Sequence, residues 1–188
     1  MVPFVWRNPA EIDDEVRAFA TSLVPGGTPI FIRVKPPAFA RLYDCYRNAT
    51  RTAQLVGGSM LLGWDISEDT DQLLFQAVFH AVWQSLQGEI IDVTPSEAGF
   101  TQTLFVPDRK IEFPDGDVPN RFQARIDDPI LQRAIRVLAW EDSMWDTKHV
   151  RHTSTVHFTR SEKRQRERML GKINPGLEEL RRRQQQAP

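Results

Sequence analysis

Apolar and polar positions follow two different periods along this chain, and the change between them marks out its parts. "NPAEIDDEVRAFATSLV" has apolar residues at helical spacing behind a group of acids, which predicts a first helix. Asn8 is placed to cap it, Pro9 suits its first turn, and the acids crowd the positive end of its dipole. Pro25 to Gly27 stops it. "PIFIRVKPP" predicts a short strand over Ile30–Val34, ended by two prolines. In "AFARLYDCYRNATRTAQLV", Phe39, Leu42, Tyr43, Tyr46 and Ala53 fall near helical spacing, so a second helix is expected, with Gly57-Gly58 as its stop.

From Ser59 the period becomes two. "SMLLGWDIS", "LLFQAVFHAVWQS", "EIIDVTP" and "TQTLFVPD" read as four successive strands, followed by the charged loop "RKIEFPDGDVPN" with its Pro-Asp-Gly turn. "DDPILQRAIRVLAWEDSMW" returns to helical spacing, capped by Asp127 or Asp128 with Pro129 in its first turn. "STVHFTR" fits no single pattern, and "SEKRQRERMLGKI" and "GLEELRRRQQQ" predict two polar helices. The pattern as a whole predicts an α+β fold, an antiparallel sheet meander packed against an N-terminal helix that bears the cysteine, with a helical C-terminal tail. One α+β domain over residues 1–150 and a basic, mostly helical extension over 151–188 are expected, the extension not being a separate domain.

Charge sharpens that division. The chain's 24 Lys/Arg and 25 Asp/Glu give a net charge of -1, but residues 151–188 hold ten of the bases and four of the acids, leaving fourteen and twenty-one for residues 1–150. A basic tail on an acidic body suits contact with nucleic acid or an acidic partner, or a solvated helix folded back on its own body. No apolar run approaches a membrane span, and the first residues lack the basic and apolar regions of a signal peptide. A single cysteine, Cys45, excludes an internal disulfide and suits a reducing, cytoplasmic setting.

The stretch "FHAVWQSLQGEIIDVTP" carries the candidate chemistry. It alternates like a hairpin, yet it contains His80, the only histidine before His149, and Asp92 within an apolar run. With Gly88 closing the turn and a loop of three residues, His80 is expected directly opposite Asp92 on one face. A carboxylate there fixes the tautomer of the imidazole and leaves its other nitrogen free as a base. Cys45, on or near the start of the helix that feeds into these strands, is the nucleophile such a base would activate; a helix that began at Pro36-Pro37 rather than Asp44 would put it mid-helix.

Helix-borne cysteine, strand-borne histidine and an aspartate on the next strand, in that order, resemble the transglutaminase-like cysteine enzymes, a superfamily related to the papain-like enzymes. Cys45, "HAVW" from His80 to Trp83, and "DVTP" from Asp92 to Pro95 carry the likeness over about residues 40–95. "CYRN" and "GGSMLLGWDI" are also similar to phrases in small bacterial proteins. The resemblance implies a transglutaminase-like core, with Cys45 as nucleophile, His80 as general base and acid, and Asp92 as the orienting carboxylate. It implies no cofactor and no metal. The substrate would be a protein, a peptide or a small amide, ester or thioester, cleaved or transferred through an acyl-enzyme.

Asp44 precedes the cysteine, and an adjacent carboxylate opposes thiolate formation. No glutamine precedes Cys45, so Asn48, one helical turn on, or the Cys45 backbone N–H would have to serve an oxyanion. Trp64 and Trp83 are candidate pocket walls as well as core residues. His149, His152 and His157 have no helical i,i+4 pairing and no acid between them, which speaks against a metal site. Phosphate-loop and dinucleotide motifs are absent from the sequence. The competing expectation is a non-catalytic protein on the same scaffold, whose basic tail binds an acidic partner or nucleic acid.

Overall fold

The computed structural model describes residues 4–96, 98–113, 118–147 and 158–186. Its elements in chain order are β1 (Trp6–Arg7), α1 (Asp14–Leu23), β2 (Ile30–Val34), α2 (Cys45–Val56), β3 (Ser59–Asp69), β4 (Leu74–Gln84), β5 (Ile90–Asp92), β6 (Gln102–Pro107), β7 (Arg121–Ala124), α3 (Pro129–Thr147) and α4 (Arg160–Gln186). The fold is therefore α+β. Its strands follow the order β1-β3-β6-β2-β5-β4-β7, and a further pairing of β3 with β4 closes five of them into a barrel.

That topology corrects the expected meander. Alternation shows which segments are strands but carries no information on their order. β2 runs between β5 and β6, parallel to the first (Val34 beside Asp92) and antiparallel to the second (Ile32 beside Thr103). The pairing puts the strand before the cysteine against the strand that carries Asp92.

The helix boundaries moved as well. α1 starts at Asp14 rather than Asn8, because the Asp13 carboxylate accepts from the Val16 N–H at 2.7 Å and so caps it. α2 starts at Cys45, and Phe39, Leu42 and Tyr43 precede it in irregular chain. Tyr43 has φ 59°, which no right-handed helix accommodates. At α3, the Asp128 carboxylate accepts from the Ile130 N–H at 2.7 Å, as the sequence suggests.

The residues fall into two compact units. One comprises residues 8–67 and 77–120, and so includes α1, α2 and most of the barrel. Within it α1 buries Val16, Phe19 and Ala20, while Ile32, Leu61, Val82 and Phe105 make a buried cluster from four different strands. The far end of α2 is fastened to β4: the Trp83 indole N–H donates to the Gly57 carbonyl at 2.8 Å. Gly58 follows at φ 86°, so close to β4 that a Cβ would lie 2.2 Å from the Gln84 carbonyl oxygen.

The other unit comprises residues 1–7, 68–76 and 121–188, described from Phe4 onward. Here α4 is one continuous helix and not the expected pair. Leu170, Ile173, Leu177 and Leu180 keep one buried stripe in phase through Asn174-Pro175-Gly176. Gly176 lets Ile130 of α3 approach to where a Cβ would be 2.7 Å from its Cγ1. Tertiary burial thus overrides the breaker signal of Pro-Gly. Part of the basic tail is neutralised locally: Arg166 pairs with Glu141 at 2.5 Å, Arg181 with Asp71 at 2.5 Å, and Arg182 with Glu179 at 2.8 Å. Glu68, almost wholly buried, sits between Arg7 at 2.9 Å and Arg125 at 2.7 Å. Among the described residues no helix is long and apolar enough to cross a membrane. The Pro-Asp-Gly turn, most of "STVHFTR", and His149, His152 and His157 lie outside the described residues.

Candidate functional site

Cys45 is the first residue of α2, a free and partly exposed thiol at the positive end of the helix. Its position follows from the chain before it. Left-handed Tyr43, followed by Asp44 at φ -121° and ψ 44°, turns the backbone into the helix, and the Asp44 side chain makes no cap hydrogen bond. Asp44 instead lies 3.5 Å from the Arg47 guanidinium.

Asn48, one turn along, is buried and fully engaged. Its amide oxygen accepts from the Arg41 N–H at 3.0 Å, and its amide nitrogen donates to the Arg41 carbonyl at 2.7 Å and to Thr94 Oγ1 at 3.4 Å. It therefore ties the loop that delivers Cys45 to the residues that follow Asp92. With both amide protons used, Asn48 is a clamp and has none left for an oxyanion.

Asp92 is the last residue of β5 and only 5% exposed. Its main-chain oxygen accepts from the Lys35 N–H at 2.8 Å, and Oδ1 accepts from the Thr94 N–H at 2.8 Å. Those contacts aim Oδ2 at His80, whose Nε2 is 3.1 Å away. The ring N–H points off that oxygen, so attraction between charges carries the contact more than an aligned hydrogen bond does.

The pair forms in a register different from the expected one. Trp83 faces Ile91 and Gln84 faces Ile90, so Asp92 lies level with Val82 and diagonal to His80. The Ser85 N–H donates to the Glu89 carbonyl at 2.8 Å, which sets the loop as Leu86-Gln87-Gly88, one residue later than read. Moving the loop by one residue moves each partner by two. Two is the side-chain period of a strand, so the face is preserved.

Cys45 completes the group. Burial alone would push the His80 imidazole pKa down; the charge of Asp92 first, and interaction with Cys45 after it, outweigh burial and hold it well above the usual histidine value. α2 and β5 thus bring Cys45 and Asp92 each to His80 of β4.

Asp65 of β3 is a fourth member, and it was missed in the sequence. It lies directly across from Phe105 of β6, and its Oδ1 accepts a hydrogen bond from the Thr103 hydroxyl. Burial pushes its carboxyl up to about 6; His80 and the Thr103 hydroxyl pull it back part of the way, while Asp92 adds to the rise. A signal was present, because Asp65 is in phase with apolar Leu61 on an alternating strand.

The two tryptophans do not line this group. Trp64 is on the opposite face of β3 from Asp65 and packs edge-on against Phe79, ring centroids 5.2 Å apart. Trp83 is the fastener of α2 described above. Among the described residues no three or more His, Cys, Asp or Glu side chains are grouped to hold a metal ion. Comparison with protein-family models, with curated proteins and with solved structures finds no match.

Proposed function

We propose that this protein is a thiol enzyme that attacks the carbonyl of an amide, ester or thioester and passes through an acyl-enzyme. The observation that carries the reading is the linked chain of groups from Asp92 through His80 to Cys45, the cysteine being the first residue of a helix. Asp92 lies on the Nε2 side of the imidazole, which leaves Nδ1 as the nitrogen that exchanges a proton with the thiol. Cys45 Sγ bonds to the carbonyl carbon, and its proton goes to His80. The tetrahedral oxyanion is met by backbone N–H groups of the first turn of α2, which Asp44 leaves without a side-chain cap. Collapse breaks the bond to the leaving group, and His80 returns the proton to it. Water or an amine then resolves the acyl-enzyme, with His80 taking that nucleophile's proton.

The finer likeness to a transglutaminase-like core belongs to the same proposal. It is supported by the chain order of helix-borne Cys45, strand-borne His80 and Asp92 on the next strand. A direct test is to mix the protein with an activated ester and follow Cys45 by mass spectrometry. A stable or transient acyl adduct on Cys45, lost in Cys45→Ala and slowed in His80→Ala, is expected. Acylation that is indifferent to His80 would end the reading.

A further inference from the structure

We propose that the outer face of α4 is a binding surface for double-stranded DNA, held through its phosphates without reading sequence. The surface is a row of bases, Arg160, Arg164, Arg168 and Lys172, with Gly171 set into it. It involves neither Cys45 nor His80 and stands apart from the thiol reading.

The row follows from how α4 is seated. Thr159 and Glu162 close a capping box: the Thr159 N–H donates to Glu162 Oε2 at 2.7 Å, and the Glu162 N–H donates to Thr159 Oγ1 at 3.3 Å. The helix therefore starts at Arg160, and each step of four residues advances about 6 Å while turning only about 40°. Leu170, Ile173, Leu177 and Leu180 are buried, and Gly176 lies against Ile130 of α3. The row lies about half a turn around the helix from that stripe, and all its bases are exposed.

A solvated helix face ordinarily mixes signs, so that acids and bases pair one turn apart. The C-terminal end of α4 does this: Glu179 pairs with Arg182 at 2.8 Å and with Arg183 at 2.9 Å. The N-terminal half does the reverse. Every i,i+4 step along the row sets like charges together, at the end of the helix whose dipole is already positive. Among the described residues no acid forms an ion pair with any base of the row. Such repulsion weakens the helix on its own, and a polyanion relieves it.

Gly171 is an independent observation. Glycine inside a helix costs stability relative to alanine and is kept where a neighbour comes too close for a side chain. Gly176 has that neighbour in Ile130, whereas a Cβ on Gly171 would meet nothing within 4 Å. Packing within the chain gives no reason for the gap. Gly171 lies between Arg168 and Lys172 on the outer face, where a sugar-phosphate backbone held by the row would come against the helix.

The chemistry of the face selects the partner. The row holds no apolar side chain to enter a lipid surface. Residues 159–186 include no aromatic ring, which removes the stacking platform a single strand needs. The row offers only cations, with no hydroxyl or amide for a ribose 2′-OH, and the B-form major groove admits a helix where the A-form groove does not. Duplex DNA presents the close, regular phosphates that such a row fits.

The test titrates the intact chain into a fluorescein-labelled DNA duplex of about 20 base pairs and mixed sequence, over about 25 to 200 mM salt. Anisotropy reads binding, and thermal melting checks each variant's fold. The log of the affinity should fall against the log of the salt concentration with a slope of about -3 to -4. Arg164→Ala with Arg168→Ala should weaken binding at least about tenfold and make the slope shallower by about two. Arg182→Ala with Arg183→Ala removes as much charge, but charge that Glu179 already engages, and should change affinity less than about threefold. Gly171→Ala should melt higher and yet bind severalfold more weakly. Absence of binding at about 25 mM salt overturns the proposal, as does a wild-type slope shallower than about -2 or an equal loss in the two arginine pairs. A duplex RNA or polyglutamate probe that binds more tightly than the DNA overturns the choice of partner. A Gly171→Ala protein that binds like wild type overturns the place of Gly171 in the surface.

Discussion

Asp92 Oδ2 lies 3.1 Å from His80 Nε2 although strand pairing sets the two residues on a diagonal. Diagonal neighbours in an antiparallel pair have Cβ atoms several ångströms farther apart than direct partners. An imidazole and a carboxylate are long enough to span that gap, where two short side chains would not meet. The Thr94 N–H holds Asp92 Oδ1 and the Lys35 N–H holds its main-chain oxygen, which leaves Oδ2 for the histidine.

Asp92→Asn tests what that charge does. The amide oxygen can still accept from the Thr94 N–H, so the fold is expected to survive. His80 loses the strongest support of its protonated form, and its pKa falls. Turnover of an activated ester should drop by roughly 10²- to 10⁴-fold, as when the orienting carboxylate of a catalytic triad is neutralised. A drop of less than about threefold, in the same assay, would remove Asp92 from the mechanism.

The Asp65 carboxyl predicts a pH-dependent cost in stability. Its folded value, pushed up to about 6 by burial, lies above the 3.8 of an ordinary aspartate. The folded chain therefore holds the extra proton between those two pH values, and stability falls as the pH rises through that window. Above it the cost is fully present, on the order of 3 kcal/mol for a shift of this size. Asp65→Asn removes the charge, so the variant should gain stability at pH 7 by roughly 1–3 kcal/mol and gain little at pH 4. Urea unfolding at the two pH values measures this. Equal changes at both would show that the carboxyl does not titrate in that window.

Asn48 separates a clamp from a donor to an oxyanion. Asn48→Ala deletes a buried amide and leaves the Arg41 N–H and carbonyl without their partners. Stability should fall by about 2–4 kcal/mol, and reactivity of Cys45 should fall with it because the loop before the helix is released. An oxyanion donor would behave differently, with turnover lost at an unchanged melting temperature. Thermal unfolding and ester turnover on the same samples distinguish the two.

How far the sequence foretold this arrangement depends on the kind of information each feature needs. The grouping of Cys45 and Asp92 around His80 was legible because the chain has a single cysteine, no histidine but His80 before His149, and Asp92 set within an apolar run. The face shared by His80 and Asp92 was legible too, since a loop displaced by one residue moves the partner by two. The partner itself was not, because the hydrogen bond between Ser85 and Glu89 that sets the loop leaves no mark in the pattern. The start of α2 was left open between Pro36-Pro37 and Asp44, because Phe39, Leu42 and Tyr43 fall near helical spacing, and the left-handed Tyr43 shows the break that puts it at Cys45. Strand order was out of reach, and with it the neighbourhood of Asp65. A carboxylate in phase with leucine is visible in a sequence, but that the charge of His80 reaches it requires knowing that β3 closes onto β4.

Gly58 links the fold to the site in a last prediction. A Cβ there would lie 2.2 Å from the Gln84 carbonyl oxygen and 2.9 Å from the Trp83 indole nitrogen, and the residue sits at φ 86°. The oxygen belongs to a strand of the barrel and cannot step aside as a flexible side chain would. Gly58→Ala must therefore lift the end of α2 away from β4, breaking the bond from Trp83 to Gly57, while straining a left-handed backbone. A loss of about 2–4 kcal/mol is expected. Trp83→Phe removes the indole N–H alone and should cost only about 1 kcal/mol. Because Cys45 begins the same helix, alkylation of Cys45 should slow more in Gly58→Ala than in Trp83→Phe. If Gly58→Ala melts like wild type, the close approach of α2 to β4 is wrong, and the positioning of Cys45 by that helix end is wrong with it.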